Sequence, residues 1–278
     1  MGRRVATLLA ARGCRVTGVV RSAGSAARLR AAGIVDSRRD LDTAAADGHW
    51  AAGFDRICYF APPPPEGLQD PRMAGFLSAL DQQRPPQRIV YISTSAVYGD
   101  CHGDWITEAQ PECPATERGQ RRLDAERRLR EWAQAHGSAW IILRVPGIYG
   151  PGRLPLARLK KGLPVLREAE APYTNRIHAA DLARICVAAL YSGQRDTVYN
   201  VSDGHPSNMT DYFFRVADAA GLPRPAEVSR DEAARILSPG MLSFLQDSRR
   251  MDNTRLLGEL GIELQYPDLA AGLPSCFE

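Results

Sequence analysis

The chain opens with a regular alternation of helical and strand patterns. Apolar runs of strand length recur through the first 145 residues, and the segments between them carry apolar residues at helical spacing. The predicted strands are Arg15–Val20, Ile34–Val35, Phe54–Phe60, Ile89–Ile92 and Trp140–Leu143, and the predicted helices are Met1–Gly13, Ser25–Ala32, Met73–Gln83 and Thr116–His136. Strands that alternate with helices are typical of an α/β fold with a parallel sheet.

The second half of the chain is less regular. It follows a loop rich in glycine and proline, Pro146–Gly152. Beyond that loop we predict one strand, Thr197–Val201, and the helices Arg153–Lys160, Leu182–Tyr191, Thr210–Ala220, Asp231–Leu237 and Arg255–Leu260. We therefore expect a sheet domain over residues 1–150 and a smaller mixed α/β part over residues 151–278, interleaved with the first.

A helix stands where a doubly wound sheet would begin with a strand. In such sheets the first strand leads into G-x-G-x-x-G and then a helix, and Gly2 stands at the last glycine of that pattern. We expect the first strand to be missing from this chain. Either the start codon was placed too far downstream, which we favour, or the protein is naturally truncated.

Composition narrows the classes of function. The chain has 278 residues, is 44% hydrophobic and 24% charged, and carries a net charge of +3 with basic and acidic residues interleaved, which argues against a nucleic-acid surface. Its six cysteines form no C-x-x-C pair, as expected of reduced thiols in the cytoplasm. Its five histidines lack metal-ligand spacing, and no apolar run approaches the ~18 residues of a membrane span.

Three consecutive hydroxyl residues follow the predicted strand Ile89–Ile92. They are Ser93, Thr94 and Ser95, and Tyr98 lies one turn further on. In open α/β sheets ligands bind beyond the carboxyl ends of the strands. We therefore predict a ligand site centred near Thr94.

Six blocks, in this order and spacing, resemble one family. They are RVTGVVRS, FDRICYFAPPPP, ISTSAVYGD, ATERGQRRLDAERRL, LRVPGIYGPGR and NRIHAADLAR. Together they are similar to the extended short-chain dehydrogenase/reductases, the NAD(P)-dependent epimerase/dehydratase family, clearly over about residues 2–200. The resemblance implies a Rossmann-type sheet, a smaller C-terminal substrate domain, a dinucleotide cofactor and a small-molecule substrate. Members of the family often form homodimers.

The resemblance also implies roles for individual residues. Thr94 matches the catalytic hydroxyl that binds the reacting oxygen of the substrate, although a hydroxyl at this point could simply cap the strand end. Ser93 is a second catalytic candidate beside Thr94, and the substrate-binding candidates are Ser95, Tyr98, Arg176 and His178. A lone histidine before a helix, such as His178, more often serves as a structural cap.

Cofactor contacts are implied at five places in the chain. The matching residues are Gly2, Arg21, Ser22, Asp40, Leu41, Ala61, Pro62, Pro146, Gly147 and Ile148. Arg21 with Ser22 stands where an acidic residue would bind the ribose 2′-hydroxyl of NAD, so a 2′-phosphate and hence NADP is favoured over NAD. The alternative for Arg21 is an ordinary surface arginine.

The chain departs from the family at the catalytic Tyr-x-x-x-Lys pair. Arg118 occupies the tyrosine position and Arg122 the lysine position, still on one face of the helix. A guanidinium stays protonated near neutral pH, so Arg118 cannot relay a proton, but it could bind a phosphate or carboxylate. Arg122 could hold ribose hydroxyls. The alternative is a helix face of surface ion pairs such as Arg122–Glu126.

Two functions are therefore weighed. The first is an atypical NAD(P)-dependent oxidoreductase or epimerase acting on a small polar or nucleotide-linked substrate, with an acid supplied by Tyr98, Tyr149 or water. The second is a non-catalytic NADP-binding sensor or scaffold. A third hypothesis is a fragment that binds nothing.

Overall fold

The structure, a computed structural model, describes residues 1–43, 48 and 50–277. Its strands are β1 Thr17–Val20, β2 Val35–Arg38, β3 Arg56–Tyr59, β4 Arg88–Thr94, β5 Trp105–Ile106, β6 Ala139–Val145, β7 Gly147–Tyr149, β8 Val165–Leu166, β9 Tyr173–Thr174, β10 Arg176–His178, β11 Thr197–Asn200, β12 Ser207–Asn208, β13 Glu227–Val228 and β14 Arg250–Met251. Its helices are α1 Gly2–Ala11, α2 Ala23–Arg30, α3 Pro71–Ser78, α4 Glu117–His136, α5 Leu156–Lys160, α6 Ala179–Tyr191, α7 Met209–Ala219, α8 Arg230–Ile236, α9 Pro239–Leu242, α10 Thr254–Leu260 and α11 Leu269–Gly272.

A four-stranded parallel sheet forms the centre of the molecule. Its strand order is β11–β6–β4–β3, and Thr94 at the end of β4 lies opposite Val145 at the end of β6. Strands β1 and β2 form a separate parallel pair, and no register joins β1 to β3 among the described residues. The predicted Rossmann-type α/β fold is confirmed.

Helices cover both faces of this sheet and bury two apolar clusters. On one face, α6 packs Leu182 and Ile185 against Val90 and Leu143. The second cluster joins α3 and α4 to the sheet through Met73, Leu80, Ile89, Tyr91 and Leu129. Central strands that are buried on both faces are expected to be apolar throughout, as β4 and β6 are for most of their length.

Local capping chemistry sets the ends of the helix that borders the site. Thr116 Oγ1 accepts a hydrogen bond from Gly119 N at 3.1 Å, and Gly137, with φ of 72°, ends the helix in the left-handed conformation. The observed helix therefore agrees with the predicted one. By contrast, the prediction of Met73–Gln83 was displaced, because Asp70 caps the helix and Pro71 occupies its first turn.

The C-terminal part pairs with the first part through short strands. β14 pairs with β5, and β10 pairs with β7. The loop that we predicted over Pro146–Gly152 thus contains a short strand, which the sequence pattern missed because β7 is stabilised only by a partner nearly 30 residues away.

No described helix combines the length and the apolar character needed to cross a membrane. The described residues include no cluster of three or more His, Cys, Asp or Glu suited to a metal ion.

Candidate functional site

A cleft of about 730 Å³ opens at the carboxyl ends of β4 and β6. Thr94, Ser95 and Ala96 form one wall, and the segment 146–148 forms another. The turn at 62–65 closes one side, and the rest of the lining comes from α4, α7 and the segments 155–158, 173–176 and 241–249. The cleft thus lies where the fold predicts a ligand site.

Thr94 lies in this cleft with its hydroxyl partly engaged. Thr94 Oγ1 accepts a hydrogen bond from Ala96 N at 3.3 Å and so caps the turn Ser95–Tyr98. Its O–H proton is still available as a donor, because a hydroxyl can accept and donate at once. The structural and the ligand-binding interpretations of Thr94 are therefore compatible.

Ser93 lies outside the cleft lining. Its hydroxyl is buried and donates to Glu126 Oε1 at 2.5 Å. Glu126 also accepts from Arg144 at 2.7 Å and from Arg130 at 3.1 Å, which makes a buried charge network beneath α4. This placement corrects the sequence prediction, because Ser93 has no path to a ligand in the cleft.

Tyr98 and His178 also lie away from the cleft. Tyr98 donates to Asn200 Oδ1 at 2.7 Å, and burial raises its pKa to about 12. His178 Nδ1 accepts from Ala180 N at 3.2 Å, which caps α6, and burial lowers the pKa of its imidazole. Tyr149, another sequence candidate for the acid, is buried and donates to the carbonyl of Asp268 at 2.9 Å. These three side chains stabilise the scaffold rather than line the site.

Arg122 lines the cleft, and its guanidinium is hydrogen-bonded to strand β4 of the sheet. One of its guanidinium nitrogens donates to the carbonyl of Ile92 at 2.9 Å and to the hydroxyl of Tyr91 at 3.2 Å. The ion pair with Glu126 that the sequence suggested as an alternative does not form, because Glu126 is saturated by Arg130 and Arg144. Arg122 is therefore a fixed cation next to the end of β4.

Arg118 lines the cleft from the same helix and is not bonded to the sheet. Its guanidinium lies over the ring of Phe244, 4.1 Å from the centroid. Within the described part of the chain it makes no hydrogen bond or ion pair, although it lines the cleft. Burial lowers its pKa, which reflects an incompletely solvated cation.

Four further arginines line the cleft, and of these the sequence analysis singled out only Arg176. Each donates to a partner in the protein: Arg121 to Gly67 and Glu117, Arg158 to Pro164, Arg176 to Asn175, and Arg249 to Gly99 and Asp247. The missed residues lie on elements that meet only in the folded chain. The density of arginines on α4 was the one available signal.

The predicted cofactor residues divide into two groups. Pro62, Pro146, Gly147 and Ile148 line the cleft, and a Cβ added at Gly147 would lie only 2.9 Å from Arg176 Nη1. A side chain at this position would displace the guanidinium of Arg176 and would lie 3.2 Å from the carbonyl oxygen of Asn175, so glycine suits this close packing.

The remaining cofactor candidates surround the ends of β1, β2 and β3, outside the cleft lining. Arg21 is exposed at the end of β1, and Ser22 Oγ caps α2 by accepting from Ser25 N at 3.2 Å. Gly2 lies at the start of α1, and the carboxylate of Asp40 accepts a hydrogen bond from Asp42 N at 3.1 Å. Leu41 and Ala61 pack against the second apolar cluster.

An arginine connects these two groups. Arg72 pairs with both oxygens of Asp42 at 2.6 and 2.8 Å and donates to the carbonyl of Pro62 at 3.0 Å. The hydrogen bond from Arg72 lowers the pKa of the Asp42 carboxyl. The proline turn is thereby attached to the loop that follows β2.

Similarity to known proteins agrees with this architecture. The sequence profile of the NAD dependent epimerase/dehydratase family matches residues 73–202, which include Thr94, Arg118 and Gly147. Protein YeeZ of Escherichia coli strain K12 is 30% identical over 193 residues, which is 69% of this chain and 62% of YeeZ. The chain is similar to the NAD dependent epimerase/dehydratase family over residues 73–202. It spans less than two thirds of the length of YeeZ.

Solved structures of this architecture match nearly the whole chain. A functionally unknown conserved protein from Silicibacter pomeroyi is 29% identical with a TM-score of 0.81, over 99% of this chain and 94% of that one. The UDP-glucose 4-epimerase of Thermus thermophilus, solved in complex with NAD, is 21% identical with a TM-score of 0.76, over 99% and 94%. The second likeness shows the fold alone.

Proposed function

We propose that the protein is an NAD(P)-dependent epimerase-like enzyme that acts on a small, anionic, nucleotide-linked substrate. One observation carries this proposal: an arginine-rich cleft lies at the carboxyl ends of β4 and β6, with Thr94 on its wall. The family match supports the reaction class. The fold-related epimerase of Thermus thermophilus binds NAD, which supports a nicotinamide dinucleotide here.

The cleft residues fit the nicotinamide end of such a cofactor. The glycine at 147 keeps the 146–148 segment close to the wall, and Arg122 presents a fixed guanidinium that can donate to ribose hydroxyls. At the other end, the exposed Arg21 and Ser22 would hold a 2′-phosphate, which favours NADP. When bound, the cofactor supplies hydride transfer.

Proton handling distinguishes this chain from an ordinary member of its family. Arg118 cannot exchange a proton near neutral pH. The described phenols on the cleft wall are Tyr173 and Tyr212, and burial raises the pKa of Tyr212. Thr94 can orient the reacting oxygen by donating its O–H, but it does not replace the missing acid. We therefore expect turnover about 10²–10⁴-fold below that of an enzyme with a positioned proton relay.

The arginine-rich cleft, with Arg118 in place of a proton relay, also supports a second candidate function. A protein that binds NADP and a nucleotide-linked ligand without turnover needs the cleft, Arg122 and Thr94 but no proton relay. In that case Arg118 would contribute only to the affinity for the ligand. The two candidates predict the same binding and differ only in chemistry.

Titration of the protein with NADPH and with NADH, followed by the fluorescence of its four tryptophans, tests which cofactor binds. We expect NADPH to bind about tenfold more tightly and Arg21→Glu to remove that preference, because a carboxylate repels a 2′-phosphate. Arg235→Glu, on exposed α8, is the matched control. Failure of the wild-type chain to bind either dinucleotide would overturn the proposal.

A turnover assay then separates the two candidates. The conversion of nucleotide sugars in the presence of NADP is followed by chromatographic separation of the products for the wild type and Thr94→Val, because epimerisation returns the hydride to the sugar and leaves no net change in nicotinamide absorbance. Slow turnover that Thr94→Val abolishes, at unchanged cofactor affinity, supports the enzyme. Tight binding of both ligands with no turnover supports the sensor.

A further inference from the structure

Arg118 differs from the other arginines of the cleft in having its donors available. Arg122 is bonded to β4, and Arg249 is paired with Asp247 at 3.2 Å. Among the described residues Arg118 has no hydrogen-bond or ion-pair partner, and its guanidinium lies over the Phe244 ring, 4.1 Å from the centroid. A guanidinium stacked on an aromatic ring keeps its N–H groups in the plane parallel to the ring, where they can bind a planar anion.

The packing of α4 against the end of β4 fixes where Arg118 lies. Gly119 approaches the turn after β4 so closely that an added Cβ would lie 2.8 Å from the carbonyl oxygen of Ala96. Its neighbour Arg118 therefore lies beside the turn that Thr94 caps, and both line the cleft. An anionic group bound by Arg118 would therefore lie in the same cleft as the oxygen that Thr94 orients.

The charge of the cleft exceeds what a diphosphate needs. Among the residues that the structure describes, six arginines and a single carboxylate, Asp247, line it. Two of the arginines stack on neighbouring rings of α7, with Arg158 4.4 Å from the ring centroid of Phe213 and Arg176 4.0 Å from that of Tyr212. Arg158 and Arg176 thus supply two positive charges, as many as the negative charges of a nucleoside diphosphate ester. Arg118, on the Thr94 side, is left for a further anion.

We propose that Arg118 determines substrate specificity by binding a carboxylate on the sugar of a nucleoside diphosphate sugar acid, beside Thr94. This inference rests on the proposed function and names its substrate class. The carboxylate accepts two parallel N–H bonds from the guanidinium, and no proton is transferred. Neutral sugars leave Arg118 without a partner in a half-buried setting, which disfavours them.

Equilibrium binding of UDP-glucuronic acid and UDP-glucose to the NADPH-saturated protein tests the proposal. We expect the wild type to prefer the acid by at least about tenfold, the value of one charged bidentate contact. Arg118→Gln removes the preference, and Arg118→Lys retains part of it, since an ammonium keeps the charge but not the fork. The control Arg127→Gln alters an exposed arginine of the same helix and retains the full preference.

The outcomes separate this inference from the proposed function. Equal affinity of the wild type for the two nucleotides, or an unchanged preference in a folded Arg118→Gln, overturns the role of Arg118. Binding of NADPH but of neither UDP compound also overturns it and leaves the cofactor proposal intact. Melting temperatures of all variants identify a folding defect, and Phe244→Leu, with an expected partial loss of preference, provides a second test outside α4.

Discussion

Asp203 gives the sharpest prediction about stability. It is 3% exposed, and its Oδ1 accepts from His205 N at 3.0 Å. Its Oδ2 is buried with no hydrogen-bond partner among the described residues. Burial raises the pKa of Asp203 to about 7, against the opposing effects of His205 and Arg176. The ordinary value is about 3.9, so the native state holds a proton that the unfolded state releases.

The sign and size of the effect follow from this shift. Below about pH 4 both states are protonated, and the native state keeps the full benefit of a neutral carboxyl. As the pH rises to about 7 the unfolded state ionises first, so the free energy of unfolding falls. About three pKa units at about 1.4 kcal/mol each give a loss of about 4 kcal/mol across this range.

The test is the substitution Asp203→Asn, which keeps the acceptor for His205 N and cannot ionise. Urea unfolding followed by tryptophan fluorescence at pH 5 and pH 8 measures both proteins. We expect the variant to be the more stable at pH 8 and to lose most of the pH dependence. The exposed control Asp231→Asn should leave the dependence unchanged. Equal slopes for the wild type and Asp203→Asn between pH 5 and pH 8 would refute the reasoning.

Two further predictions concern the frame of the cleft. Glu126→Ala leaves Arg144, which is 1% exposed, with a single acidic partner, Glu112 at 2.5 Å. We expect this substitution to lower the free energy of unfolding in urea by about 3–5 kcal/mol. A loss below about 1 kcal/mol would contradict the buried network. Gly119→Ala should lower the free energy of unfolding by about 1–3 kcal/mol, because its Cβ would lie 2.8 Å from a carbonyl oxygen. Gly258→Ala, in helix α10 with open space around it, should raise the free energy of unfolding by about 0.4–1 kcal/mol. Equal effects of the two substitutions would refute the close approach at Gly119.

The sequence determined those features that depend on neighbouring residues. The helix bordering the site was predicted to within a residue, since Thr116 and Gly137 carry their own capping chemistry. The parallel sheet followed from apolar runs, and the position of Thr94 at a strand end followed from the hydroxyls after Ile92. The i, i+4 spacing put Arg118 and Arg122 on one face, which held in the structure.

Tertiary structure alone decided what each of these side chains contacts. Ser93 and Thr94 are alike in sequence, but successive strand residues point to opposite faces, so one meets Glu126 under α4 and the other meets the cleft. Arg118 and Arg122 are equally alike. Arg122 is held by the carbonyl of Ile92, whereas Arg118 meets Phe244 from a segment more than a hundred residues away. Such long-range partners leave no local pattern, because they are set by chain topology rather than by spacing.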